Sequence, residues 1–147
     1  MTAGDQSGGG PDVLDGPFST RQLMRLDAAL RAADTATGLT FSVYVGELEE
    51  PARGFAEKLH GQLADPAVSV LLAISPNQRC LEIVTGGAVS RRLPDRACRL
   101  AALSMSAAFS GGDLIGGILT GLSQLTTQAG VTTTPGAGQG KKRRLRR

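Results

Sequence analysis

Apolar residues recur along this chain with two different periods, and the switches between them mark its elements. Leu23, Leu26, Leu30 and Ala33 share one face at a spacing near 3.6 residues, with Arg21, Arg25 and Arg31 turned away, which predicts an amphipathic helix. Its start is signalled by Ser19 as N-cap and Gln22 three residues on, a capping box, with Phe18 and Leu23 placed as a hydrophobic staple. The helix is expected to run to about Ala36, and Gly38 stands where a left-handed C-terminal cap is wanted. From Leu39 to Val45 the period drops to two: Leu39, Phe41, Val43 and Val45 alternate with Thr40, Ser42 and Tyr44, the pattern of a half-buried strand.

Gly46 ends that strand, and the acidic loop Glu47-Leu48-Glu49-Glu50 leads to Pro51 at the first position of a second helix. This helix, about 51–64, should bury Ala52, Phe55, Ala56, Leu59 and Leu63. Residues 68–74 are apolar on both faces except for Ser69, as expected of a central strand covered on each side. Strand, helix and strand in this order imply a right-handed parallel crossover. The turn Ser75-Pro76-Asn77-Gln78 sends the chain back into an antiparallel strand over 79–85, where Glu82 is the one charged interior residue and points to an edge or partly exposed position. After Gly86-Gly87 comes a short helical turn at 88–93. Pro94 and Asp95 then open a helix to about Phe109, apolar almost all round and so expected to be largely buried. Ser110-Gly111-Gly112-Asp113 breaks it. A last helix reaches about Ala129, with Gly112/Gly116 and Gly117/Gly121 spaced four apart so that two backbones can approach. The fold class is therefore α/β: a small mixed sheet of three to four strands sandwiched by helices, in the order α-β-α-β-β-α-α.

The 147 residues suit one domain with a real core. Residues 1–12 read as a disordered arm, 13–129 as the domain, and 130–147 as a flexible linker and basic tail. Aromatics are few, which argues against a base-stacking nucleic-acid surface. The net charge of +3 depends on the tail: Lys141, Lys142, Arg143, Arg144, Arg146 and Arg147 carry six of the sixteen cations, and the remaining ten face thirteen acidic residues. The body is thus mildly acidic. Its tail suits an anionic protein, a lipid surface or nucleic acid, or is simply a solvated end. Cys80 and Cys98 show no CxxC spacing, and the single His60 cannot complete a zinc set, so two reduced, packed thiols are expected. No secretory signal or membrane-spanning stretch is evident, and a cytoplasmic location follows as the expectation.

The order of elements, together with ISPNQRCLEIVTGGAVSRRLPD and FSGGDLIGGILTGLSQL, resembles the TPM domain over residues 13–129, in an uncharacterised soluble branch typical of actinobacteria. The resemblance implies an α/β sandwich, weak acid phosphatase activity with binding of a divalent cation such as calcium, and upkeep of membrane protein complexes. Asp95 and Asp113 match the two Asp positions of that family, and the resemblance implies a cation site where their helix starts converge. Both also suit helix capping or dipole interaction.

From the residues themselves, the crevice outside the carboxyl ends of parallel strands is the place for a ligand. Glu47, Glu49 and Glu50 offer oxygens there for a hard cation with Asn77 opposite, or else they complement the dipole of the second helix. Gly86 and Gly87 with Arg91 and Arg92 offer amides and charge to an anion, or serve the turn alone. His60 lies near no nucleophile and reads as structural or surface. Ser104 and Ser106 are in no nucleophile elbow. The stretch from Pro135 to Lys142 lacks the Ser or Thr and the flanking strand and helix of a phosphate-binding loop. The leading expectation is a non-catalytic binding or scaffold domain. The alternatives are a weak cation-assisted acid phosphatase, with metal at Glu47, Asp95 and Asp113, and a nucleic-acid contact through the tail.

Overall fold

The computed structural model describes residues 18–130. Helix α1 (Thr20–Thr37) begins at its capping box. The Ser19 hydroxyl accepts from the Gln22 amide at 3.1 Å, and the Gln22 side chain accepts from the Ser19 amide at 3.0 Å. The helix ends one residue later than expected, because Thr37 is drawn inward. Its buried hydroxyl donates to the Ala33 carbonyl at 2.7 Å and accepts from the Leu39 amide at 3.1 Å. Gly38 then leaves with φ 77°, the left-handed turn its lack of a Cβ allows.

Strand β1 (Thr40–Val45) is followed by helix α2 (Ala52–Gly61), shorter than expected at both ends. Pro51 is its N-cap, outside the helix. At the far end Gln62 and Leu63 bond three residues back, to Leu59 and His60, so the last turn tightens and stops. A 3-10 turn at Pro66–Val68 delivers strand β2 (Ser69–Ser75), every residue of which is buried. A Cβ on Gly86 would overlap the Pro66 carbonyl oxygen, which explains glycine after strand β3 (Cys80–Thr85).

The three strands pair in the order β1-β2-β3, with β1 parallel to β2 and β3 antiparallel. The register places Val43, Leu72 and Ile83 side by side on one face, and Ser42, Leu71 and Val84 on the other. The first face meets α1, α3 (Asp95–Ser110) and α4 (Leu114–Ala129), and the larger core lies there, with Phe41, Val70, Leu72, Ile74, Met105 and Ile118 among its members. Among the described residues the second face is covered by α2 and by Leu48 of the loop before it, over Leu71, Ala73 and Val84. This is the expected α/β sandwich in the expected order, with three strands.

Helix α3 departs from its expected burial. Only Ala97, Ala101 and Met105 are buried, a stripe at four-residue spacing, while Leu100 and Leu103 are 51% and 68% exposed. A run rich in Ala and Leu looks uniformly apolar in sequence, but the helical period turns just one stripe inward. That stripe meets α4, where the glycines act. A Cβ on Gly117 would come within 2.5 Å of the Phe109 ring, and one on Gly121 within 2.6 Å of Met105 Cγ. Gly116 serves a different purpose: its Cβ would collide with the Asp113 carboxylate that caps α4. Among the described residues no helix is long and apolar enough to cross a membrane.

Candidate functional site

The carboxyl ends of β1 and β2 carry a rim built from two tied loops. Gly46 extends the ladder by donating to the Ile74 carbonyl at 2.9 Å. The Tyr44 hydroxyl donates to the Glu47 carbonyl at 2.8 Å and folds the β1 exit back on its strand. The Gln78 carboxamide, in the β2–β3 hairpin, bonds both backbone groups of Leu48. The hairpin closes through Ser75 Oγ, which accepts from the Gln78 amide at 3.3 Å. Arg79 is left at φ 55°, in the left-handed region with a non-glycine side chain. That conformation costs about 1 kcal/mol.

The expected crevice between the two loops is not what the structure forms: a cavity of about 310 Å³ lies instead between the β2–β3 hairpin and the α3–α4 corner, and among the described residues none of Gly46–Glu50 lines it. One wall is the hairpin, with Arg79 and Cys80. The other is the carboxyl end of α3 and the turn into α4, with Ser106, Phe109, Ser110 and Leu114. Among the described residues the Arg79 guanidinium has no carboxylate partner, the ion pairs there being Asp27 with Arg31 and Arg53 with Glu57 and Glu82. Burial pushes the Cys80 thiol up from its ordinary 9.0, and the charges of Glu82, Glu47 and Glu50 push it further. The thiol packs against the α2-side core and is protonated at neutral pH, so it is no nucleophile for the cavity.

The residues expected to hold a metal are dispersed. Glu47 sits on the rim beside Asn77, whose amide donates to it at 3.3 Å, as the sequence suggested. Its neighbour Leu48 packs into the α2-side core. Asp113 is on the other side of the sheet, where its carboxylate accepts from the Gly116 amide at 2.9 Å as the α4 N-cap. Asp95 opens α3 and Asp113 follows its end. The 16 residues of α3 separate the two by about 20 Å or more at 1.5 Å rise each. Their helix starts do not converge. Among the described residues no group of three or more His, Cys, Asp or Glu is placed to hold a metal ion.

Other candidates have structural partners. The Arg92 guanidinium donates to the Ala129 and Gly130 carbonyls at 3.0 and 2.7 Å, closing the end of α4 rather than facing an anion beside Gly86. Buried His60 donates from Nε2 to the Ser69 carbonyl at 2.9 Å. Ser104 accepts from Gln124 at 2.9 Å across α3 and α4. Lys141, Lys142, Arg143, Arg144, Arg146 and Arg147 lie outside the described residues. The cavity wall itself was not singled out from the sequence. Its signals were Ser106, Phe109 and Ser110 at i, i+3 and i+4, and a cation closing a four-residue hairpin.

A sequence family described as a domain of unknown function, DUF5130, matches residues 4–126. The chain belongs to this family. Uncharacterised proteins from two strains of Mycobacterium tuberculosis, CDC 1551 and H37Rv, are 34% identical over 110 residues, a match covering 75% of this chain and 66% of their length. The DUF5130 chain thus spans just under two thirds of those relatives. Three solved structures share its fold. The N-terminal domain of a Corynebacterium glutamicum protein has a TM-score of 0.68 at 13% identity, covering 88% of this chain and 85% of that one. The N-terminal domain of a P. gingivalis protein has a TM-score of 0.67 at 21% identity, covering 77% and 76%. A protein of the psychrophile Bizionia argentinensis has a TM-score of 0.64 at 14% identity, covering 76% and 80%. At these identities the likeness speaks to the fold.

Proposed function

We propose that this DUF5130 chain is a non-catalytic binding domain that receives a small anion, or the anionic group of a partner, in the cavity between the β2–β3 hairpin and the carboxyl end of α3. The observation that carries this reading is Arg79. Its guanidinium lines the cavity without a carboxylate partner among the described residues, on a strained backbone, opposite the hydroxyl-bearing residues Ser106 and Ser110. A left-handed non-glycine residue persists only where its surroundings over-determine it, and such positions gather at ligand sites. Arginine suits planar anions through its fork of donors. A binding role also agrees with how the reactive groups are used. The His60 ring is committed to a backbone carbonyl and the Cys80 thiol is held protonated, so neither forms a nucleophile with its base.

In this reading the domain works in the cytoplasm. The six cations of residues 141–147 add a second contact for an anionic protein, lipid surface or nucleic acid. Kinship with the TPM domain belongs to the same proposal, supported by the quoted motifs.

The test is a titration followed by backbone amide NMR. Phosphate, a phosphomonoester and a dicarboxylate are added in turn, then calcium and magnesium. The expected result is movement of the Arg79, Ser106, Ser110 and Gly112 amides with the anions, abolished in Arg79→Gly. That variant should also be about 1 kcal/mol more stable, through relief of the left-handed strain. Cation-driven shifts at Glu47, Asp95 or Asp113, with turnover of the phosphomonoester, would instead establish the cation-assisted phosphatase.

A further inference from the structure

Among the described residues no strand pairs with the outer edge of β1 or of β3, and each edge has one outward group bonded within the chain. On β1 the outward Phe41 amide donates to the Asp34 carboxylate at 2.8 Å, inside the same chain. On β3 the phase of pairing is fixed by the Gly86 amide, which donates to the Ser69 carbonyl at 3.0 Å. With Val70 opposite Thr85, alternation makes Val84, Glu82 and Cys80 the residues bonded to β2. The backbone groups of Leu81, Ile83 and Thr85 therefore point out of the sheet. Of these, the Ile83 carbonyl accepts from Arg53 at 2.9 Å.

Beside this edge runs a trough between β3 and α3. One part, about 390 Å³, lies among Arg53, Glu82, Thr85 and Asp95. It continues past Leu81, Arg99 and Ala102, which line both parts, into a shallower one of about 650 Å³ flanked by Arg79, Arg96, Leu100 and Leu103. Among the described residues no acidic side chain lines this second part and none of its three arginines is in an ion pair. In the first part Glu82 and Arg53 already face each other at 3.4 Å. Leu100 and Leu103, together with Met24, are the large apolar side chains most exposed to solvent among the described residues.

We propose that the β3 edge receives an extended acidic segment of another protein as a fourth strand. Backbone pairing at Leu81, Thr85 and the amide of Ile83 supplies the attachment, and the arginine-lined, leucine-flanked part of the trough selects acidic and apolar side chains. Charge complementarity decides the occupant: a basic or neutral strand would leave three arginines without counter-charge.

The test uses the full chain and a dye-labelled seven-residue peptide of alternating Glu and Val. Its controls are a Lys and Val version and a Glu and Val version methylated at alternate backbone nitrogens. Arg99 and Leu103 do not line the cavity of the proposed anion site, so Arg99→Glu and Leu103→Ser report on the edge alone. Both are exposed, and their folding is checked by circular dichroism. The expected result is saturable binding with amide shifts over 81–85 and 96–103. Binding should weaken roughly tenfold or more in Arg99→Glu and vanish for the methylated peptide. Equal binding of the methylated peptide would overturn strand addition and leave mere charge attraction. The same shifts arising from concentration alone, with a dimer in sedimentation, would overturn it in favour of a second copy. Binding that appears only after deletion of residues 1–17 would assign the edge to this chain's own amino-terminal segment.

Discussion

Gln78 holds Leu48 as a strand neighbour would. Its Oε1 accepts from the Leu48 amide at 2.7 Å and its Nε2 donates to the Leu48 carbonyl at 2.9 Å, across 30 residues of sequence. The Leu48 side chain is 1% exposed, so its backbone has limited access to water and needs both partners. One carboxamide thereby joins the loop after β1 to the hairpin after β2, the same hairpin whose other residues wall the cavity.

Replacing Gln78 by Ala removes both bonds. The expected loss is about 1–3 kcal/mol, the range for leaving partly buried backbone groups unpaired. Gln78→Glu keeps an acceptor but sets a carboxylate against the Leu48 carbonyl, so its loss at neutral pH should be no smaller. Urea denaturation measures both. A change under about 0.5 kcal/mol, typical of an uninvolved surface site, would show that water replaces the clasp.

Gly121 and Gly61 should respond to alanine with opposite signs. Each gains helix propensity and loses unfolded-state entropy, worth up to about 1 kcal/mol. At Gly61 nothing lies within 4 Å of the added Cβ, so that gain is kept. At Gly121 the Cβ would press within 2.6 Å of Met105 Cγ, and Met105 is fully buried. Overpacking of this kind costs about 1–3 kcal/mol and outweighs the gain. Thermal melting of the two variants decides it: a stabilised Gly121→Ala would mean that Met105 has room to turn aside.

Most of the fold was legible because local chemistry and global packing agree. The Ser19–Gln22 box, the left-handed Gly38 and the period-two run into Val45 all hold. The doubly buried β2 and the antiparallel return of β3 hold as well. Burial of α3 was misread because Leu100 and Leu103 are as apolar as a core residue, and nothing local says which stripe α4 will cover. The site was less legible. Asp95 and Asp113 look like partners in a motif, yet the helix between them holds them apart. Arg79 escaped notice because its left-handed backbone is set by the hairpin, without the glycine that normally marks such a position.

Asp34 offers a test through pH. Burial raises its pKa above the ordinary 3.8, against the opposing pull of the Phe41 amide. The folded chain therefore holds this proton more tightly than the unfolded chain does. The resulting stability is fully present below the unfolded value, about 3.9, and is lost as pH rises through the folded one. Asp34→Asn keeps an oxygen for the Phe41 amide but does not ionise. The stability of the natural chain minus that of Asp34→Asn should thus be most favourable at the acid end. It should fall across the window just above 3.8 and level off by neutral pH, where the Asn variant equals or exceeds the natural chain. Asp34→Ala, which strips the acceptor from the outward Phe41 amide, should be weaker than Asp34→Asn throughout. Urea denaturation from pH 3 to pH 7 measures all three. A difference that grows with pH would mean the bond to Phe41, not burial, governs this carboxylate.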